Sequence, residues 1–160
     1  MSEVKTPWKP YMGDVPMHLD YFQGSMFDAV ERIADMYPNN IAFDFMGRSV
    51  TYRKMVQEIE KCAKSLKTLG VRVGDKVTIA MPNCPQALHA FYGLNRIGAV
   101  SNMIHPLSAA GEIRFYLNFS HSKCILTLDQ FYVKIAPIMP ELDNKECKLL
   151  LAKIEDELYP

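Results

Sequence analysis

The sequence predicts an α/β fold with a mainly parallel sheet and flanking helices. Short apolar runs begin at Lys76, Ala99, Lys123 and Lys148, a recurrence of about 24 residues. Amphipathic segments fill the intervals, and strand–helix–strand units of that length join parallel strands by right-handed crossovers. The chain has 160 residues, 49% of them hydrophobic and 22% charged, which suits one domain with a sizeable core.

Two segments are expected: an irregular one over residues 1–24 and an α/β unit over 25–160. In the first, Pro7, Pro10, Pro16, Gly13 and Gly24 break any helix. Its aromatics Trp8, Tyr11, Tyr21 and Phe22 predict that it lies against a surface. Ser25 is placed to cap a helix, with Asp28 three residues on and Met26, Val30, Ile33 and Tyr37 at helical spacing. Pro38 ends it. Ile41–Phe45 and Arg48–Thr51 flank Met46-Gly47 and read as a hairpin.

Thr51 is placed to cap the longest helix, Tyr52 to Leu69. Met55, Ile59, Cys62, Leu66 and Leu69 form its stripe, with Val56 and Ala63 beside it. Gly70 stops it and Val71 folds back on the last turn. Lys76 to Met81 is the first parallel strand. Pro85 opens a helix that runs to Ile97 and stops at Gly98. Ala99 to Ile104 is the second strand. Ser108 caps a helix to about Asn118 with Ile113, Tyr116 and Leu117 inward. Lys123 to Thr127, a short helix over Gln130–Pro137, and Lys148 to Ala152 complete the pattern, followed by Glu155, Asp156 and Glu157 without a closing helix.

Charge narrows the functions. Lys plus Arg and Asp plus Glu both total 18, which argues against nucleic acid held on a basic face. No apolar run approaches the roughly 18 residues of a membrane span. Met1 to Tyr11 lacks the apolar stretch of a secretory leader, so a cytoplasmic location is expected. Cys62, Cys84, Cys124 and Cys147 have no metal-site spacing and read as free, packed thiols.

The chain carries no Gly-rich phosphate turn, no nucleophile elbow, and no metal motif, so no catalytic and no metal-binding residue is assigned. His18, His89, His105 and His121 are dispersed. His89 and His121 read as solvated. His105 follows the second parallel strand, at the end where open α/β sheets bind ligands, and is the candidate cofactor-binding residue. Against that stands a simpler role: His-Pro setting an extended backbone before a turn. Met55, Met81 and Met103 fall at expected core positions among ten methionines.

Several pieces occur in a telling order. They are Tyr37-Pro38, Ala42, Thr51-Tyr52, Leu69-Gly70-Val71, Gly74-Asp75-Lys76-Val77, Met81-Pro82-Asn83-Cys84-Pro85 and Arg96-Ile97-Gly98-Ala99-Val100. His105-Pro106-Leu107, Glu112-Ile113 and Ser122-Lys123-Cys124-Ile125-Leu126 follow. Together they resemble the N-terminal region of the AMP-forming acyl-CoA synthetase and adenylation superfamily, closely from Ser25 to Thr127, with Leu149 to Tyr159 similar to its next strand and loop. Pro7-Trp8-Lys9-Pro10-Tyr11 resembles the start of long- and medium-chain fatty acyl-CoA synthetases. Lys54 stands where the family often has Glu, and His105 where it often has Asn.

The resemblance implies the first part of the large N-terminal domain of the adenylate-forming fold. It implies an ATP-dependent fatty-acid–CoA ligase as the full-length enzyme, with ATP, Mg²⁺ and CoA as cofactors and a fatty acid or other carboxylate as substrate. The family's phosphate loop ending in Pro-Lys-Gly, its aromatic-Thr-Glu motif, its ribose-binding Asp and its C-terminal Lys have no counterpart in these 160 residues. The chain therefore reads as the first part of a longer enzyme, without activity or cofactors of its own. The alternative is a free-standing α/β binding or interaction module. An incomplete sheet would expose apolar surface and an open edge, so a homo-oligomer is expected.

Overall fold

The computed structural model describes residues 6–157. The ends of the two expected segments, residues 1–5 and 158–160, lie outside it, as does the start of the leader reading. Between Thr6 and Gly24 the one helical element is a 3₁₀ turn, Lys9–Tyr11. The expected docking of the aromatics is corrected here: Tyr11 is 90% and Tyr21 73% exposed, and Trp8 and Phe22 also face solvent. Helix-breaking residues keep the backbone from presenting one apolar face.

Helix α1 spans Met26–Met36 behind a full capping box: Ser25 Oγ accepts from the Asp28 N–H, and Asp28 accepts from the Ser25 N–H at 2.7 Å. Its inward face is the expected one in part: Val30 packs against Phe27, Met55 and Ile59, but the helix is turned toward Phe27 and Ala34. Phe27 and Ala34 are buried, while Met26 and Tyr37 are half exposed. The Phe27 N–H donates to Asn95 Oδ1 at 2.8 Å, and the Arg96 guanidinium lies 4.5 Å from the Phe27 ring centroid, which fixes the rotation of the helix. Strands β1 (Ile41–Phe45) and β2 (Arg48–Thr51) form the expected antiparallel hairpin.

Helix α2 spans Tyr52–Thr68, with Thr51 Oγ1 accepting from the Lys54 N–H. Met55, Ile59, Ala63 and Leu66 are buried. Cys62 sits at the margin and Leu69 is exposed. The Lys54 ammonium lies 2.7 Å from Glu58, so the cation in the first turn is met by a carboxylate one turn on. Gly70 takes φ +99° and the Val71 N–H donates back to Leu66 O.

The second sheet holds β3 (Lys76–Ala80), β4 (Val100–Met103), β5 (Cys124–Leu128) and β6 (Lys148–Ala152). All pairings are parallel, in the order β4-β3-β5-β6. Helix α3 (Pro85–Ile97) carries the chain from β3 to β4, and α4 (Ala110–Ser120) from β4 to β5. The two helices cover opposite faces. Ala87, Ala90, Leu94 and Ile97 of α3 pack with Val77, Ile79 and Met81. Ile113 and Leu117 of α4 pack with Ala80 and Ile125. A third cluster, Phe27, Met55 and Ile59, joins α1, α2 and the hairpin. Gly93 brings α3 against α2: a Cβ there would stand 3.3 Å from the Ala63 backbone nitrogen.

Four local expectations are corrected. Ser108 does not cap α4; the cap is Ala109, whose N–H donates to Glu112 at 3.2 Å. Tyr116 is 37% exposed because Ile113 and Leu117 already fill the inward face. Gln130–Pro137 is a 3₁₀ turn (Asp129–Phe131), a single α turn α5 (Tyr132–Ile135) and a second 3₁₀ stretch (Ala136–Glu141), since Pro137 and Pro140 lack donors. After β6 the acidic residues form a 3₁₀ turn, Ile154–Glu157. No helix among the described residues is long and apolar enough to cross a membrane.

Candidate functional site

Strands β4 and β5 flank β3 on opposite sides, and their connecting helices leave on opposite faces. That reversal lies at the carboxyl ends of β3 and β5, the place where open α/β sheets receive ligands. Four loops meet there: Met81 to Cys84 after β3, Ile104 to Ala109 after β4, Asp129 and Gln130 after β5, and Lys153 after β6.

Hydrophobic burial and hydrogen bonds close the sheet beneath these loops. Thr127 Oγ1 donates to Ala80 O at 2.8 Å, and Met81, Cys84 and Leu128 are buried. Gln86, in the first turn of α3, donates through Nε2 to Lys153 O at 2.6 Å and so ties the loop after β6 to the helix after β3. A shallow polar depression of about 170 Å³ remains, bordered by Asp129, Gln130, Lys153 and Glu155.

Beside these strand ends, α3 and the hairpin enclose an open apolar groove of about 380 Å³. Phe43 and Phe45 line it from β1, Leu88, Phe91 and Tyr92 from α3, and Met103 from β4. Met103 was expected in the core. Its strand lies at the sheet edge, so it is 51% exposed and forms a groove wall instead. The groove was missed in the sequence, although Phe43 and Phe45 share one face of a strand and Leu88, Phe91 and Tyr92 share helical spacing.

The histidines do not assemble. His105 is exposed at the carboxyl end of β4, and its Nδ1 accepts the Leu107 N–H at 3.2 Å, a bond that shapes the turn. His121 caps α4 in the left-handed conformation and is exposed, as expected. His89 is not solvated: it is 6% exposed between α3, α2 and the hairpin, 6.2 Å from the Phe43 ring. Burial pulls its pKa down to about 4, so it is neutral at pH 7. Its helix position beside Gln86 suggested solvent, but α3 is covered on both the sheet side and the α2 side.

Burial likewise pushes the thiols up, Cys62 and Cys147 to about 11 and Cys124 to about 12. They are free and poorly nucleophilic, as their surroundings predict. Among the described residues no group of three or more His, Cys, Asp and Glu side chains is placed to hold a metal ion.

The sequence pattern described as AMP-binding enzyme matches residues 30–159. The chain belongs to this family. Among its relatives, the long-chain-fatty-acid–CoA ligase of Bacillus subtilis is 28% identical over 133 residues, covering 82% of this chain and 24% of the relative. The acetyl-coenzyme A synthetase of Emericella nidulans is 32% identical over 124 residues, covering 74% of this chain and 18% of the relative. The chain thus spans about a quarter or less of the length of these AMP-binding relatives. Among solved structures, the inhibitor-bound N-terminal domain of FACL13 from Mycobacterium tuberculosis superposes with a TM-score of 0.74 at 25% identity, covering 83% of this chain and 34% of that domain structure. The α/β unit is a part of the N-terminal domain of AMP-binding, adenylate-forming enzymes.

Proposed function

We propose that this chain is the N-terminal α/β portion, residues 25–160 behind an irregular segment 1–24, of an ATP-dependent fatty-acid–CoA ligase. In that reaction a carboxylate oxygen attacks the α-phosphorus of ATP and displaces pyrophosphate. The CoA thiol then attacks the acyl carbon, loses its proton and displaces AMP. The observation that carries the reading is the family match across residues 30–159, set on a parallel sheet whose strand order reverses at β3.

This chain's own described residues do not fit ATP and Mg²⁺: the neighbouring groove is apolar, and no carboxylate cluster is placed for the cation. The role of the 160 residues is that of scaffold, and His105 is the side chain at the carboxyl edge that a ligand held by the rest of the enzyme would meet. Incubated with ATP, Mg²⁺, CoA and fatty acids, the 160-residue chain is expected to release no pyrophosphate above a blank. Turnover would overturn the scaffold reading. Capture of the endogenous polypeptide through an antibody to residues 25–157 tests the ligase reading. A species larger than 18.2 kDa that releases pyrophosphate supports it. An 18.2 kDa species without activity favours the free-standing binding module.

A further inference from the structure

We propose that Lys134 is a positioning residue: its ammonium pins the turn after β4 and so holds His105 in one tautomer, with Nδ1 as an acceptor inside the turn and Nε2–H as the donor left over. The inference rests on the ligase reading only where it takes His105 as the side chain a ligand meets. The contacts that carry it join the turn and α5 to each other, so it does not depend on what else packs around them.

Hydrogen bonds define the turn. His105 O accepts the Ser108 N–H at 3.1 Å, with Pro106 at the second position, where its fixed φ suits a turn. His105 Nδ1 accepts the Leu107 N–H at 3.2 Å. Residues 105–109 belong to neither strand nor helix, so no ladder holds their carbonyls. Two of those carbonyls accept from Lys134 Nζ on α5: Pro106 O and, at 3.1 Å, Ser108 O.

Packing sets Lys134 there, since it lies 26 residues beyond Ser108. Its neighbour Ile135 is fully buried with Ile113 and Leu117 of α4, which fixes α5 against that helix. The ammonium also stands 5.3 Å from the Phe131 ring centroid. A cation shared between two carbonyls of one turn holds it more strongly than a neutral donor would.

The bond inside the turn decides the chemistry of the imidazole. A backbone N–H can only donate, so Nδ1 is unprotonated and the proton of the neutral ring sits on Nε2. The group set against that nitrogen therefore has to accept a hydrogen bond, as a phosphate or carboxylate oxygen does. When the turn loosens, the Leu107 N–H is lost to water and both tautomers return.

Histidine nitrogen–proton NMR and amide exchange on the 160-residue chain at pH 8 test this. They need neither ligand nor activity, so the proposal and the ligase reading fail separately. In the wild type, His105 is expected to carry its proton on Nε2 and the Leu107 amide to be protected. Lys134→Met is expected to speed Leu107 exchange about tenfold or more, and to give His105 the tautomer mixture of the exposed His18. Lys134→Gln, which keeps a shorter neutral donor, is expected to do the same in smaller measure and decides the matter if the methionine variant does not fold. An Nδ1–H tautomer at His105 in the wild type, or a folded variant whose Leu107 exchange and His105 signals are unchanged, overturns the proposal.

Discussion

Gly98→Val is expected to give insoluble protein or a melting midpoint lowered by roughly 6–12 °C, for a loss of about 3 kcal/mol. Gly98 ends α3 at φ +81°, and its N–H and that of Ala99 donate back to Asn95 O and Leu94 O. A side chain there meets the left-handed penalty of roughly 1–2 kcal/mol, which branching at Cβ increases. Its Cβ would also stand 3.3 Å from Val73 Cγ1. The same residue's carbonyl accepts the Gly74 N–H at 2.8 Å, so displacement is passed to the loop that starts β3. Gly13 also has positive φ, at +56°, yet a Cβ there meets nothing within 4 Å, and its segment is largely exposed. Gly13→Val is therefore expected to be milder. Equal melting midpoints for the two variants would falsify the helix-stop role of Gly98.

Acid is expected to unfold the chain through His89. Its folded pKa is lowered to about 4 by burial, against an ordinary value of 6.5, with the Glu58 carboxylate raising it and the Lys54 ammonium lowering it. Between these values the unfolded chain binds the proton and the folded chain does not. Stability from this group is complete above pH 6.5 and is lost as pH falls toward 4. The loss between pH 7 and pH 5 is roughly 2 kcal/mol. Below that range Glu58 and Asp75 add to it: burial pushes Glu58 up but the Lys54 and Lys61 ammonium groups together outweigh it, and the Lys123 hydrogen bond holds the Asp75 carboxyl pKa down. Urea titrations at pH 7 and pH 5 measure the difference. In His89→Gln, where nothing titrates at that position, it is expected to shrink to a few tenths of a kcal/mol. An unchanged difference would assign the acid sensitivity elsewhere.

The sequence carried the parallel sheet because each strand is a run bounded by chain-reversing residues. Gly74 precedes β3, Gly98 precedes β4, and the cap residue His121 precedes β5. Periodicity found the apolar arc of α1 but not which edge of that arc turns inward, because the rotation is decided by Asn95 and Arg96 from another helix. It failed for His89 too, because a lone polar residue in a helix does not reveal that the helix is covered on two sides. The Gln86–Lys153 bond and the groove between β1 and α3 join residues far apart in sequence, and no local pattern announces them. His105 was found at the expected strand end, where its ring serves the following turn.

The strand order has a consequence for synthesis. β3 leaves the ribosome before β4, β5 and β6, yet it lies inside the sheet, and Val77, Thr78, Ile79 and Ala80 end fully buried. Its partner on one side arrives with Val100–Met103, and its partner on the other only with Cys124–Leu128. Until Leu128 has emerged, the central strand of the nascent chain keeps one margin open. Vectorial folding here passes through a state that is two strands wide, and a pause with Met103 emerged and Cys124 still inside the ribosome would hold the chain with that margin open.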